Sequence, residues 1–308
     1  MKTIAIATRK SALALHQADM AARALQVAYP ELEVEVLPIS TRGDEIGDRA
    51  LAPLGGKGLF VSALERALAT GRAQLAVHSL KDVPSELASG FTLSALLARA
   101  DPRDALIARD QIHALGDLGC AARVGTASLR RQAQLLHARP DLDIRLVRGS
   151  VETRLARLDA GELDAVVLAA AGLERLGIER GSPLDPAIML PASGQGAIAI
   201  EARLDDTGTT ELAAVLDDRP ARLAATAERA FCRALGATCT SPVGALATLR
   251  DDDITLAVRV LPADGSDELA ATRTAPAGDA EALGKRLARE LLARGAGKWL
   301  ECADAGPP

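Results

Sequence analysis

The chain has 308 residues, of which 48% are hydrophobic and 25% charged, so its composition is that of a globular protein with room for two or three domains. Aromatic residues make up only 2% and the formal net charge is −5. Base-stacking side chains are therefore nearly absent and there is no global basic field, which argues against a nucleic-acid partner. No apolar run approaches the roughly 18 residues of a membrane span, no secretory leader is recognisable, and the four cysteines form no CxxC pair. We expect a reduced, cytoplasmic protein without a membrane partner, a disulfide framework or a metal site.

Strands and helices alternate in the first part of the chain. Residues 3–8 predict a short buried strand, and Ser11 can cap the periodic helix that follows. Residues 32–40 then predict a strand, residues 58–71 a helix and residues 74–80 another strand. Such alternation is typical of a parallel, doubly wound α/β sheet.

A second run with the same pattern begins near residue 104 and alternates strands with helices up to about residue 172. In both runs a strand ends in Thr and a Ser precedes the next helix, as in ATRKSALAL and VGTASLRRQ. Two similar α/β lobes would turn two helix N-termini, which attract anions, toward a common cleft.

The last third of the chain has a different pattern. Residues 194–203 predict a strand that follows the second lobe, so we expect the chain to cross back and complete the first sheet. A helix over about 221–235, a loop around Cys239, three alternating strands and a final helix then predict a small α+β domain. The predicted domains are 1–98 with 194–217, 99–193, and 218–308.

Charged residues cluster where predicted strands end. Lys81 and Asp82 follow an apolar strand, at the edge where open α/β sheets bind ligands, although an exposed Lys-Asp turn has the same pattern. Arginines recur at equivalent turns beside Ser or Thr; surface charge explains any one of them, but the repeat favours forks for carboxylates or phosphates. These arginines are Arg9, Arg130, Arg131, Arg148 and Arg154.

The other polar motifs are less specific, with one exception. GGKGLF at 55–60 lacks the spacing of a phosphate loop, so a loop leading into a helix, with Lys57 as a local cation, is favoured. The four histidines are scattered singly, which predicts neither a metal cluster nor a catalytic dyad. Cys239, in contrast, lies in a Gly/Thr/Ser/Pro loop between a helix and a strand, where a thiol can point at a ligand.

A series of motifs, taken in order, resembles the hydroxymethylbilane synthase family, also called porphobilinogen deaminase. The most specific are AVHSLKDVP at 76–84 and ERAFCRALGATCTSPVGA at 228–245, joined by ATRKSALAL, VGTASLRRQAQL, LVRGSVETRLARLD and LPASGQGAIAIE. The resemblance is dense from residue 4 to about residue 246. It implies a three-domain, monomeric transferase of porphyrin and haem biosynthesis, whose first two domains are periplasmic-binding-protein-like doubly wound lobes.

The resemblance also implies a cofactor and a reaction. In this family a loop cysteine, here Cys239, holds a dipyrromethane cofactor through a thioether. The enzyme adds four porphobilinogen molecules to this primer, releases ammonia at each step, and then hydrolyses off the linear tetrapyrrole hydroxymethylbilane. Every added pyrrole carries an acetate and a propionate, so a set of cationic forks suits the growing polyanion.

Residue roles follow from the same resemblance. Asp82 matches the catalytic aspartate, whose carboxylate stabilises the positive charge that develops on pyrrole nitrogens. Lys57 and Phe60 match a loop over the active site. The residues implied to bind the cofactor are, besides Cys239 and Asp82, Ser79, Lys81, Thr126, Ser128, Arg130, Arg131, Arg148, Ser150 and Arg154. Those implied to bind the substrate are Arg9, Ser11, Arg148, Arg154, Arg175 and Gln195.

Two alternatives to this function stay open at the level of sequence. A two-lobed binding protein could capture an anionic small molecule without chemistry, as the lobes alone would suggest. The cysteine-bearing domain argues against that alternative. An inactive relative of the enzyme is the second, and ammonia release from porphobilinogen would exclude it.

Cys239→Ala is expected to abolish the covalent pyrrole adduct and to leave the fold intact, because a loop thiol contributes little packing. Intact mass after denaturation is the measurement, since a thioether survives unfolding and a bound ligand does not. Alanine variants of Cys120, Cys232 and Cys302 serve as controls and are expected to retain the adduct. A pyrrole mass that persists in Cys239→Ala, or disappears with another cysteine, would overturn the assignment.

Overall fold

The computed structural model describes residues 2–40, 61–109, 112–238 and 240–301. The chain divides into two compact units, Met1–Ala100 with Gly196–Arg222 and Asp101–Gln195 with Leu223–Pro308. Each unit is discontinuous in sequence. The finer division into three domains stays a prediction. None of the described helices is both long enough and apolar enough to cross a membrane.

The first unit contains one mixed sheet flanked by helices. Its strands are β1 Lys2–Arg9, β2 Leu32–Ile39, β3 Leu75–Ser79, β4 Phe91–Leu96 and, much later in the chain, β10 Ile198–Arg203. Its helices are α1 Ala12–Ala28, α2 Ser62–Ala69 and α6 Thr207–Ala214, with a 3₁₀ turn at Leu80–Asp82. The order is β2-β1-β3-β10-β4, in which β1 is parallel to β2 and β3, and β10 is antiparallel to both of its neighbours.

The two faces of this sheet pack differently. Ile4 and Ile6 of β1 belong to an aliphatic core that includes the buried stripe of α1. On the other face, small side chains such as Ala76 lie beneath Leu64 and Leu68 of α2. Side chains alternate between the two faces along each strand, so the face toward α1 carries large aliphatic side chains and the face toward α2 carries mostly small ones.

The second unit begins with a sheet of the same kind. Its strands are β5 Asp104–Ala108, β6 Arg123–Thr126, β7 Asp143–Leu146, β8 Ala165–Ala169 and β9 Ser182–Pro183. Its helices are α3 Leu129–Ala138, α4 Val151–Asp159 and α5 Ala170–Arg175, with a 3₁₀ turn at Leu115–Asp117. The order β7-β6-β8-β5-β9 repeats the pattern of the first sheet, because β7, β6 and β8 are parallel and β5 is antiparallel to β8.

The rest of the second unit is an antiparallel sheet covered by helices. Its elements are α7 Arg219–Leu235, which begins in the first unit, the strands β11 Val243–Arg250, β12 Asp253–Val260 and β13 Leu269–Pro276, a 3₁₀ turn at Ala277–Asp279, and the helices α8 Ala280–Ala293 and α9 Gly297–Glu301. Phe231, Leu283 and Leu287 are fully buried in its core. The chain's only tryptophan, Trp299, packs against the same core, and the ammonium of Lys298 lies 5.1 Å from the centre of its ring.

The predicted fold class, two α/β lobes and a small α+β C-terminal domain, is confirmed. The strand predicted at 194–203 is observed at 198–203 and lies in the first sheet, between β3 and β4, as expected. The expected parallel pairing is observed for β1 with β2 and β3 and for β6 with β7 and β8, whereas β10 and β5 run antiparallel to β3 and β8. The helix predicted at 58–71 is observed at Ser62–Ala69, and residues 58–60 lie outside the described residues.

Gly284 sets how closely α8 approaches α7. A Cβ atom at this position would press on the carbonyl oxygen of Ala227 and lie 2.8 Å from the backbone nitrogen of Phe231. Gly284→Ala is therefore expected to lower the free energy of unfolding by about 1–3 kcal/mol, although Ala is the better helix former. Gly208→Ala in α6, where nothing lies within 4 Å, is the control and is expected to leave stability unchanged or raise it. Urea unfolding is the measurement, and equal midpoints for the two variants would contradict the close approach.

Candidate functional site

A small pocket lies at the carboxyl ends of β1 and β3 in the first unit. Its volume is about 60 Å³, and its lining includes Arg9, Ser11, Ser79 and Asp82, four residues that the sequence predicts for the site. Parallel neighbouring strands bring their carboxyl ends to one sheet edge, which explains why residues far apart in sequence meet here.

Lys81 and Asp82 lie in the 3₁₀ turn that follows β3, and both are half-buried. At the start of the turn, the N–H of Leu80 donates to the carbonyl of Ala197 at 3.0 Å, which continues the contact between β3 and the β10 segment. The position of the pair at a strand end is confirmed. The catalytic role of Asp82 stays a prediction.

Helix α1 supplies two polar groups to the pocket. Ser11 is its N-cap, and the Ser11 Oγ accepts the N–H of Ala14 at 3.4 Å. Gln17 is buried, and its amide forms hydrogen bonds of 2.9 and 3.0 Å with the Oγ of Ser79. The hydroxyl of Ser79 is therefore fixed at the pocket by a side chain from the helix.

In the second unit, one buried carboxylate holds Arg130 and Arg131. Asp104 is 0% exposed; its Oδ2 accepts Nη1 of Arg130 and its Oδ1 accepts Nη2 of Arg131, each at 2.7 Å. The side-chain amide of Gln195 adds a hydrogen bond of 3.0 Å to Oδ1 and donates to the carbonyl of Pro102 at 2.7 Å. Three residues predicted for the site thus converge on Asp104.

Opposing effects act on the pKa of Asp104. Burial raises it, but the charges of Arg130 and Arg131 and the hydrogen bonds to the carboxylate lower it more, so the pKa lies well below the usual 3.8. The carboxylate is therefore charged at neutral pH. It neutralises only part of the charge on the two guanidiniums, and this buried sheet edge stays positive.

The two arginines use their N–H groups unequally. Arg131 donates to Asp104 through Nε and Nη2 and to the carbonyl of Val167 through Nη1 at 2.9 Å. Arg130 donates through Nη1 to Asp104 and to the carbonyl of Leu190, and its buried Nε has no hydrogen-bond partner in the described part of the chain. Arg130 thus keeps donors that a ligand carboxylate could use.

Two capped helix N-termini carry further predicted residues. Ser128 caps α3, and its own N–H donates to Oγ1 of Thr126 at 3.1 Å. Ser150 caps α4, and Arg154 in the first turn of that helix donates to a backbone carbonyl at 3.0 Å. Backbone N–H groups that lack helical partners at such termini favour a nearby anion.

Arg148 and Arg175 are half-buried in the same unit. Arg148 follows β7, and its buried Nε has no hydrogen-bond partner among the residues that the structure describes. Arg175 ends α5, where burial lowers its pKa despite the charge of Glu174. A guanidinium nevertheless stays protonated, so both side chains are partly buried positive charges.

Three predicted residues, Lys57, Phe60 and Cys239, lie outside the described residues. The loop that carries the cysteine begins at Gly236, whose φ of +78° ends α7 in the left-handed conformation that favours glycine. The N–H of Thr238 donates to the Oγ of Ser241 at 2.9 Å, so a hydrogen bond joins residues on the two sides of the cysteine.

Four polar residues that shape these sites are not among the residues predicted from the sequence: Gln17, His78, Asp104 and Glu201. Gln17 could have been identified from the sequence, since it is a polar residue on the buried stripe of α1. Asp104 begins a strand that is otherwise apolar. His78 pairs with Glu201, which lies 123 residues further along the chain, so no local pattern reveals it. No group of His, Cys, Asp or Glu suited to a metal ion occurs within the described ranges.

The chain is similar in sequence to known proteins over its whole length. A family model described as "Porphobilinogen deaminase, dipyromethane cofactor binding domain" matches residues 4–211, and one for the "Porphobilinogen deaminase, C-terminal domain" matches residues 222–293. The chain is 47% identical to the porphobilinogen deaminase of Chromobacterium violaceum, with 100% of both chains covered. It is 50% identical to that of Xanthomonas axonopodis pv. citri, covering 97% of this chain and 99% of the relative.

Similarity to solved structures is weaker. The Methionine Binding Protein MetQ matches with a TM-score of 0.43 at 14% identity, covering 70% of this chain and 89% of that chain. A likeness at this level supports no argument about function, so the function is inferred from the sequence relatives.

The chain is therefore an enzyme, a transferase that assembles a tetrapyrrole. It belongs to the porphobilinogen deaminase family. Its activity is that of a hydroxymethylbilane synthase, which condenses porphobilinogen into hydroxymethylbilane with the help of a dipyrromethane cofactor. The alternative of a non-catalytic binding protein is not favoured.

The second unit fits a group with several carboxylates. Buried N–H donors without an acceptor, as at Arg130 and Arg148, are unfavourable unless a ligand satisfies them. The acetate and propionate side chains of a dipyrromethane supply such acceptors, in the charge-assisted form that arginine binds best.

Asp104→Asn is expected to lower the free energy of unfolding by about 3–5 kcal/mol, because it leaves two buried guanidiniums without a counter-charge. Asp159→Asn is the control: it breaks an exposed pair with Arg180 at 2.9 Å and is expected to change stability little. Urea unfolding at neutral pH is the measurement, and similar losses in both variants would contradict a structural role for Asp104.

The effect of Asp104→Asn is also expected to depend on pH. Because the folded-state pKa is lowered, Asp104 stabilises the fold above its usual pKa of 3.8 and loses that contribution as the pH falls below it. The difference between the wild type and the variant is therefore expected to shrink as unfolding is measured at progressively lower pH, starting from about pH 4.

Proposed function

We propose that the pocket at the carboxyl ends of β1 and β3 is the place where pyrrole units are joined, with Asp82 as the catalytic residue. The observation that carries the proposal is that Asp82 lines this pocket together with Arg9, Ser11 and Ser79. A carboxylate and an anion-binding cation thus lie together at the sheet edge where α/β folds bind ligands.

The carboxylate of Asp82 suits the chemistry of porphobilinogen. When the aminomethyl group leaves as ammonia, positive charge spreads onto the pyrrole nitrogen of the substrate. Asp82 accepts the N–H of that ring and interacts more strongly with the cationic ring than with the neutral one, so it stabilises mainly the transition state. Its half-buried position reduces screening by water.

Arginines hold the acidic side chains of the substrate. Arg9 takes a carboxylate of the incoming porphobilinogen in the first unit, with Ser11 as a hydrogen-bond partner. Arg148, Arg154 and Arg175 take those of other rings in the second unit. Gln195 was predicted to bind substrate, but its amide bonds to Asp104, so it is assigned to supporting Arg130 and Arg131.

The dipyrromethane cofactor supplies the pyrrole end to which new units are added. Cys239 is assigned as its attachment point through its match to the loop cysteine of the family. The polar groups assigned to hold its side chains are Ser79, Lys81, Thr126, Ser128, Arg130, Arg148, Ser150 and Arg154. Arg131 is assigned to holding these cofactor-binding groups in position, because its donors bind Asp104 and the carbonyl of Val167.

We also propose that the protein is a monomer located in the cytoplasm. Cys239 must stay a thiol until the cofactor attaches, which a reducing compartment favours. Cys120 and Cys232, which the structure describes, are free cysteines. A monomer is the expectation from the family resemblance.

Asp82→Asn is expected to carry dipyrromethane on Cys239 and to bind porphobilinogen, yet to release ammonia on the order of 10²–10³ times more slowly, because the amide keeps the size and an acceptor oxygen but loses the charge. Single-turnover ammonia release is the measurement. Intact mass confirms that the compared proteins carry the cofactor.

Lys81→Ala is the matched comparison, since it changes the neighbouring residue of the same turn. If Asp82 only pairs with Lys81 at a strand end, both variants lose activity equally. A near-normal rate for Asp82→Asn would mean that the acid is structural and that the condensation site lies elsewhere.

A further inference from the structure

His78 and Glu201 form a buried hydrogen-bonded pair, the His–Glu pair, beside the pocket. The Nε2 atom of His78 lies 2.8 Å from Oε2 of Glu201, and the two residues are 7% and 0% exposed. Since β3 and β10 are antiparallel neighbours with His78 opposite Ala199, both side chains share the sheet face that carries Ala76 and packs under α2. The chemistry assigned to Asp82 makes no use of this pair.

Two observations distinguish the His–Glu pair from a structural contact. His78 lines the same pocket as Asp82. In addition, the ring nitrogen that faces Glu201 is Nε2, so Nδ1 is not used in this pair, and Oε1 of Glu201 has no hydrogen-bond partner within the described residues. A carboxylate that accepts the Nε2 proton fixes the tautomer in which Nδ1 is the basic nitrogen.

A second carboxylate, that of Glu65 in α2, interacts electrostatically with the His–Glu pair. Burial and the charge of Glu201 raise the pKa of Glu65 in α2, while His78 lowers it by a smaller amount. Glu201 has the direct hydrogen bond to His78, so its carboxylate is the one that orients the imidazole.

The condensation releases a proton that needs an acceptor. The C–N bond of a porphobilinogen ammonium breaks, and neutral ammonia leaves with the electron pair. The freed methylene carbon then bonds to the α-carbon of the acceptor pyrrole, and this carbon loses its hydrogen as a proton while the C–H electron pair stays in the ring. Each unit joined therefore yields one ammonia and one proton.

We propose that His78, oriented by Glu201, accepts this proton at Nδ1 and later passes it to water. The inference rests on the proposed function of the Asp82 pocket. The α-carbon of the acceptor pyrrole bonds to the methylene carbon of the ring whose N–H Asp82 contacts, so the proton acceptor has to line the same pocket. Among the lining residues, Asp82 and His78 are the two bases, and Asp82 is engaged with the ring N–H.

His78→Gln is the decisive variant, because the amide nitrogen of glutamine can still donate to Glu201 while the basic Nδ1 is removed. His137→Gln is the matched control, since His137 also faces a carboxylate, Glu268 at 3.3 Å, in the second unit. Both are compared with the wild type by intact mass, by single-turnover ammonia release, and by hydroxymethylbilane formation from porphobilinogen deuterated at its free α-carbon.

His78→Gln is expected to carry the pyrrole mass and to release ammonia at a near wild-type rate, but to form product on the order of 10² times more slowly. Its product formation is expected to show a primary deuterium isotope effect larger than that of the wild type. His137→Gln is expected to match the wild type in every measurement. Product formation at the wild-type rate, or a slow rate without an increased isotope effect, would show that the His–Glu pair is structural only.

The outcome is distinguishable from failure of the proposed function, because Asp82→Asn slows ammonia release itself and His78→Gln does not. If His78→Gln lost the cofactor or the fold, nitrogen NMR of the imidazole in the wild-type holoenzyme would decide independently of activity. The expected spectrum has a proton on Nε2 of His78 and none on Nδ1 at the pH of the assay. A proton on Nδ1 under those conditions would overturn the proposal.

Discussion

The buried carboxylate of Asp104 is the contact on which the edge of the second unit formed by the start of β5 and by α3 depends. It joins the start of β5 to two arginines of α3 and to Gln195, all of them buried. Any one of these charges alone would be strongly unfavourable away from water, and the network is stable only because each partner is present. The same contact supports the proposed role of Arg130 in holding carboxylates, since an incompletely neutralised guanidinium pair would attract an anion while its geometry stays fixed.

The polar residues of the two units differ in chemical type. The pocket of the first unit contains the bases, Asp82 and His78, with one arginine beside them. The second unit contributes mainly cations and helix N-termini, which suit carboxylates rather than proton transfer. The bases and most of the cations predicted for the site therefore come from different units of the chain.

Short sequence patterns predicted the helix N-termini that lie at both sites. Ser11 and Ser128 cap helices at the two places where the sequence has a Ser before a predicted helix, because a cap depends only on residues three or four positions away. The partners that orient the functional groups were not predictable. Asp104 lies 26 residues from Arg130 and Glu201 lies 123 residues from His78, so these contacts exist only once the strand order is known. The antiparallel course of β10 and β5 was missed for the same reason, since direction within a sheet is a property of topology.

The scarcity of aromatic rings has a practical consequence for spectroscopy. Trp299 is the only tryptophan of the chain and packs against the core of the C-terminal sheet. Intrinsic tryptophan fluorescence therefore reports on that part of the second unit alone, and unfolding of the first unit is silent in this signal unless both units unfold together. With a single tyrosine besides, the protein contributes little near-ultraviolet absorption, so pyrrole chromophores that form on the enzyme are observed against a low background.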